Sequence, residues 1–119
     1  MEISEEMQSK IGQFQQLQQQ VQYLSAQRIQ LDAQTKEIAK TIEEIGKLRE
    51  GSPVYRSIGS LLVKVEDLPG MRKELEEQKE TLEVRVRTLE KQEKHMREQH
   101  QKMQAELEKE LSAVQGQKG

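Results

Sequence analysis

Leu17, Leu24, Leu31, Ile38 and Ile45 stand seven residues apart, and Ile3 keeps the same register upstream. Met7, Phe14, Val21 and Ile42 each fall four residues after a position of that series. A 3-4 alternation of this kind is the seam of a coiled coil: a helix with one narrow apolar stripe that must find a partner helix. Lys10, Arg28, Thr35 and Arg49 interrupt the stripe. Polar residues at seam positions lower stability and select register or partner. The faces between are rich in glutamine, as in FQQLQQQVQ, which forms helix well and carries no charge. Glutamine tracts also occur in aggregation-prone disordered segments, but the interleaved Phe14, Leu17, Val21 and Leu24 favour the helix.

The second half repeats the pattern. Leu68, Leu75, Leu82, Leu89, Met96 and Met103 recur every seven residues, and Val86, Leu107 and Val114 take the companion position. Glu83–Arg87, Glu90–Lys94 and Glu98–Lys102 are acid-first pairs four residues apart, each worth roughly 0.3–0.5 kcal/mol on an exposed helix face. With so narrow a stripe, neither helix is stable alone.

Composition agrees. Hydrophobic residues make up 33% of the 119 residues and aromatic ones 3%, too little large apolar material for a compact globule. Charged residues, at 34%, balance to a net charge of -2. So polar a chain invites a disordered reading, which the strict apolar spacing opposes. The absence of cysteine excludes disulfides, thiolate zinc sites and cysteine nucleophiles and fits a reducing compartment. No run resembles the apolar core of a signal peptide, and none approaches the ~20 apolar residues of a membrane span. The expectation is a soluble, cytoplasmic protein with no membrane partner.

Between the halves the chain changes character. Gly51-Ser52-Pro53 stops the first helix, since glycine accepts a left-handed cap and proline cannot extend the hydrogen-bond ladder. Asp67 is placed to cap the second helix, with Pro69 in its first turn. Val54 to Val65 is β-branched and alternating, and Gly59-Ser60 supplies the positive φ that a type II′ hairpin turn needs at its first central residue. In that register Val54, Ile58, Leu61, Val63 and Val65 share one face with Arg56, while Tyr55, Ser57, Leu62 and Lys64 take the other. The expected architecture is mainly α in a single domain, 1–119. It has helices at 3–50 and 68–115, antiparallel because the connection is short, and a hairpin at 53–66. Open strand edges and apolar faces are association surfaces. Val54, Tyr55, Ile58, Leu61, Leu62, Val63 and Val65 are therefore the expected oligomerisation residues.

Catalytic and ligand-binding patterns are missing from the sequence. His95 and His100 lie roughly 140° apart around a helix and share no face for a metal. The carboxylates alternate with Lys and Arg, and Gly51 and Gly59 lack the lysine of a phosphate loop. We expect no enzyme activity, metal or cofactor. A nucleic-acid-binding arm would need a basic stripe; the second helix has nearly equal numbers of acids and bases, so no nucleic-acid partner is expected.

VYRSIGSLLVKV, followed by a helix containing ETLEVRVRTLEKQE at residues 80–93, resembles the beta-type subunits of prefoldin, in the archaeal form and the similar eukaryotic subunit six group. The resemblance runs over nearly the whole chain, and the single hairpin matches the beta type, the alpha type having two. It departs at Leu68-Pro69-Gly70, where the second helix starts. The resemblance implies a hexamer of two alpha-type and four beta-type subunits whose hairpins pool into a β-barrel platform bearing six coiled-coil tentacles. It further implies capture of unfolded client polypeptides and their delivery to a group II chaperonin, without ATP.

In an antiparallel helical hairpin both chain ends lie at one tip. Near those ends Ile11 widens the stripe of Ile3, Met7 and Phe14, and Leu111 widens that of Met96, Met103, Leu107 and Val114. Flexible, polarizable methionine suits a surface that accepts many apolar partners. These nine residues are the expected client-binding tip, with Ile11 and Leu111 expected to be exposed. The alternative is a passive coiled-coil scaffold or tether in which the same residues only close the seam.

Overall fold

Serine at position 4 starts the first helix. Its side-chain oxygen accepts a hydrogen bond from the Met7 N–H at 3.1 Å and its carbonyl one from the Gln8 N–H at 2.9 Å, which satisfies donors that a helix start otherwise leaves open. Glu5 and Glu6 then place negative charge on the positive end of the helix dipole. The computed structural model describes residues 4–116, with side chains as far as 114. Ile3 therefore lies outside the described residues. Helix α1 runs Glu5–Gly46, strand β1 Tyr55–Ile58, strand β2 Leu61–Lys64 and helix α2 Leu68–Gly116.

Helix α1 stops four residues short of the expected 50. Gly46 is its last residue, and the chain then tightens through Lys47 N–H to Glu44 O and Leu48 N–H to Ile45 O, each 3.2 Å. Glycine is the poorest helix former after proline, and three-residue closures of this kind are how helix ends commonly unwind. Gly51, at φ 82°, follows in the turn closed by Ser52 N–H to Arg49 O. Helix α2 starts where Asp67 caps it. The Asp67 carboxylate accepts from the Gly70 N–H at 3.1 Å, and its carbonyl accepts from the Met71 N–H at 3.1 Å. A side chain at position 70 would collide with that carboxylate, which accounts for the glycine after Leu68-Pro69.

The structure divides into two compact units, residues 30–86 and the two chain ends, up to 29 and from 87 on. Within the end unit, α1 and α2 run antiparallel. Lys10 meets Glu110, Phe14 stacks on His100 with ring centroids 4.4 Å apart, and Arg28 meets Glu93. Met7 and Leu107 are buried there, and Leu17, Val21, Leu24, Leu89, Met96 and Met103 are half-buried. Within the other unit, Leu31, Ile38, Ile42 and Ile45 of α1 and Leu75 and Leu82 of α2 are half-buried, and Val86 is buried. Two-stranded packing leaves each seam residue open on a flank, and no described side chain is fully enclosed.

Of the four polar interruptions, three are answered inside the fold. Thr35 is buried and its hydroxyl donates back to the Leu31 carbonyl at 2.8 Å. Lys10 Nζ lies 2.6 Å from Glu110 Oε1. Arg28 Nε donates to Glu93 Oε2 at 2.5 Å, while Arg97 donates to the other Glu93 oxygen at 2.6 Å. Arg49, the fourth, lies past the end of α1. The local pairs differ from those expected. Glu83 faces Lys79 one turn earlier rather than Arg87, and ion pairs four apart among the described residues also include Asp32–Lys36, Glu43–Lys47, Arg72–Glu76 and Glu93–Arg97. Exposed pairs of this kind differ by only tenths of a kcal/mol, too little to fix one choice of partner.

Glu93 is only 5% exposed. The hydrogen bond from Arg28 holds its carboxyl below the usual glutamate range, against the opposing pull of burial and with help from Arg97. Replacing Arg28 with alanine leaves that carboxylate short of one charged donor, and we expect a loss of roughly 1–3 kcal/mol in the thermal or urea unfolding of the assembled protein. The lowered folded pKa means that the folded state binds fewer protons, so stability from this group is complete above about pH 5 and is lost as pH falls through the folded value. Arg28→Ala should flatten that acid limb. An acid limb of unchanged slope in Arg28→Ala would show that the triad does not control it.

Candidate functional site

Two surfaces stand out, one in each unit. The first is the hairpin. Its register pairs Tyr55 with Lys64, Arg56 with Val63, Ser57 with Leu62 and Ile58 with Leu61. Residues directly opposite one another in an antiparallel pair share a face. The faces are therefore Val54, Arg56, Ile58, Leu61, Val63 and Val65 against Tyr55, Ser57, Leu62 and Lys64, as expected from the turn. Gly59 has φ 59°, and no other residue of the turn has positive φ, which is the type II′ pattern rather than I′. The Val65 N–H donates to the Val54 carbonyl at 2.8 Å. That makes 54–65, 56–63 and 58–61 the pairs that exchange hydrogen bonds, and turns the backbone groups of Tyr55, Ser57, Leu62 and Lys64 outward.

Among the described residues no backbone group pairs with them. The sheet has two strands, both outer edges are open, and all eight strand residues are exposed. Ile58 is 53% exposed, Leu61 65% and Leu62 75%. Val54 and Val65 differ from the other expected assembly residues, for both are half-buried. Val54 lines a cleft of about 260 Å³ with Ile45, Met71 and Leu75, so this end of the hairpin is rooted on its own helices. Isolated two-stranded hairpins are marginal in water, and that root supplies some of the missing support.

The second surface is the end unit. The structure brings the expected tip residues of both helices together but covers them more than expected. Met7 and Leu107 are buried, at 8% and 6% exposure, and Phe14, Met96, Met103 and Val114 are half-buried. Ile11 and Leu111, expected to be exposed, are half-buried too. Positions flanking a two-stranded seam lie against the partner helix, which shields one side of each.

Several residues escaped the sequence reading. Glu110 and Glu93 occupy seam positions of α2, seven residues beyond Met103 and Val86 respectively, and there they face Lys10 and Arg28. Two acids in one stripe and two bases in the other were visible as a composition, but not which faces which. Lys10 is held above the usual lysine range, chiefly by its hydrogen bond to Glu110. The large apolar side chains most open to solvent outside the hairpin are Tyr23, Ile29, Leu48 and Val84, none of them a seam residue. Among the described residues no three His, Cys, Asp or Glu side chains come together to hold a metal, and no described helix is long and apolar enough to cross a membrane.

Residues 8–113 match the family described as "Prefoldin subunit". Over 73 residues the chain is 42% identical to prefoldin subunit beta of Thermoplasma volcanium and 40% identical to that of Thermoplasma acidophilum. Those matches cover 61% of this chain and 59% of each relative. The crystal structure of the prefoldin beta subunit from Thermococcus strain KS-1 is similar with a TM-score of 0.80 and 34% identity, covering 92% of this chain and 96% of that one. With two long helices, one hairpin between them and a family match along 8–113, the chain belongs to the prefoldin subunit family.

Proposed function

We propose that the chain is a beta-type subunit of a hexameric, ATP-independent chaperone of the cytoplasm, and not an enzyme. Its hairpin joins those of other subunits, alpha-type ones included, in a shared β-barrel platform of two alpha and four beta subunits. The end unit holds unfolded polypeptides, which pass to a group II chaperonin. One observation carries the assembly part of this reading: a hairpin with both edges open and its apolar side chains exposed. Such an edge invites unwanted pairing unless it is covered, and no described residue covers it.

The client-holding part rests on the apolar ends of both helices meeting in one unit. With no described side chain fully enclosed, grip would come from weak surface contacts repeated on several subunits. Linking weak sites raises overall affinity by about 10²–10⁴-fold. A passive scaffold would share the coiled coil but would not need that repetition.

Two measurements test the reading. Ile58→Asp with Val63→Asp puts two carboxylates on one hairpin face, and burying unpaired charge costs several kcal/mol per ion. The expected outcome, when mixed with an alpha-type subunit, is loss of the hexamer mass by light scattering while helical circular dichroism persists. An unchanged hexamer mass would sink the assembly role of this face.

Removing residues 1–14 and 104–119 should leave the hexamer intact, because the hairpin belongs to the other compact unit, 30–86. The trimmed hexamer should no longer suppress aggregation of an unfolded client. Full suppression by the trimmed form would move the client surface elsewhere, and absence of suppression by the untrimmed hexamer would favour the scaffold.

A further inference from the structure

From residue 11 to residue 27 the chain has no charged side chain, although 34% of its residues are charged. Seven of the ten residues from 13 to 22 are glutamine. All seven are on α1 and all are exposed. The apolar residues beside them, Phe14, Leu17 and Val21, are half-buried in the seam. Apart from Tyr23, the open surface of this stretch of α1 is therefore mainly amide.

The same unit contains a cleft of about 330 Å³ with glutamines on both walls, Gln18 and Gln22 from α1 and Gln101 and Gln104 from α2. His100 also lines it, and its Nε2 is buried with no hydrogen-bond partner. Gln104 donates to Glu108 at 3.3 Å, leaving its oxygen available. Val21 and Arg97 complete the lining, and Arg97 is already bound to Glu93.

We infer that this amide-walled cleft holds the backbone of an extended, unfolded polypeptide, with the glutamine amides hydrogen-bonded to its N–H and C=O groups. The inference rests on the client-holding reading above and adds what the client offers. A glutamine side chain presents two donors and one oxygen acceptor, the same groups that every peptide unit carries. An unfolded chain has both groups bonded only to water and open to exchange; a folded one has committed them to its own chain. Amide walls thus recognise unfoldedness without reading sequence, and their neutrality keeps them indifferent to the client's charge. At 1.5 Å per residue the charge-free stretch of α1 extends about 24 Å, room for about seven residues of extended chain.

The test uses the assembled full-length protein and two versions of one unstructured 12-residue peptide. The first has ordinary amides. The second has four alternate backbone amides replaced by esters, which removes N–H donors and weakens the carbonyl acceptors while keeping the side chains. The parent protein should bind the amide peptide about tenfold more tightly, since several hydrogen bonds of modest net strength are lost together. In the variant carrying Gln18→Met, Gln22→Met, Gln101→Met and Gln104→Met, of similar shape and helix propensity, the preference should fall below about twofold. Grip by apolar contact alone predicts the opposite: equal binding of both peptides by the parent and tighter binding of both by the methionine variant. Either equal binding by the parent or an undiminished preference in the variant overturns the inference while leaving client holding intact. Binding of neither peptide by the parent overturns the client-holding reading itself. If the quadruple variant loses helical circular dichroism, Gln18→Met with Gln104→Met serves in its place, with a drop in preference of about half on a logarithmic scale.

Discussion

The narrowness of the apolar stripe governs the structure. A helix with apolar residues at two positions in seven can bury only one flank, and within this chain the only comparable stripe is on the other long helix. Packing the two together leaves most seam residues half-buried, and among the described residues only Met7, Val86 and Leu107 are both apolar and buried. Apolar burial at about 25 cal/mol per Å² therefore returns less here than in a globular core. A stripe that repeats every seven residues is also nearly indifferent to a slip of one heptad. Something else must fix the axial register.

The polar layers do so. Arg28 and Glu93, with Arg97 beside them, and Lys10 with Glu110, are satisfied only in one antiparallel alignment. A slip of one heptad would put Arg28 opposite Val86 and Glu93 opposite Val21 in one direction, or opposite His100 and Thr35 in the other, and either way would part the two charges. A buried charge without its partner costs several kcal/mol, more than the slip would cost in apolar contact. The two layers are unequal. Glu93 is buried, so its pairing discriminates strongly. Lys10 and Glu110 are each more than a third exposed on their side chains, and water screens most of what their contact could contribute.

How much of this was legible in the sequence follows from the range of each interaction. Heptad spacing is local, so Leu17 to Ile45 and Leu68 to Met103 announced both helices. Gly59-Ser60 fixed the hairpin register because a two-residue turn allows one set of facing pairs. The end of α1 was less legible: Gly51 and Pro53 are conspicuous breakers, but Gly46 unwinds the helix before the chain reaches them. The ion pairs were illegible for a different reason. Lys10 and Arg28 read as interruptions of one stripe, and recognising their partners needed the axial alignment of two stripes, which neither stripe encodes. Exposure at the chain ends was also misjudged. Ile11 and Leu111 lie outside the seam in sequence terms, yet the facing helix covers part of each.

The hairpin reverses the logic of the helices. Along the helices polar groups specify an arrangement that apolar contact leaves open; in the hairpin the backbone itself is left unsatisfied. Tyr55, Ser57, Leu62 and Lys64 each turn an N–H and a C=O away from the partner strand, and the apolar side chains beside them are open to water. In water the backbone groups are hydrogen-bonded to solvent and cost little, whereas the exposed Ile58, Leu61 and Leu62 gain only when covered. Strand addition satisfies both at once, because each added strand pairs one edge and covers part of a face. It also leaves a new edge, so the arrangement ends without an open edge only if the strands close on themselves. A closed ring of strands would leave no edge, whereas a pair of hairpins would still have two to satisfy.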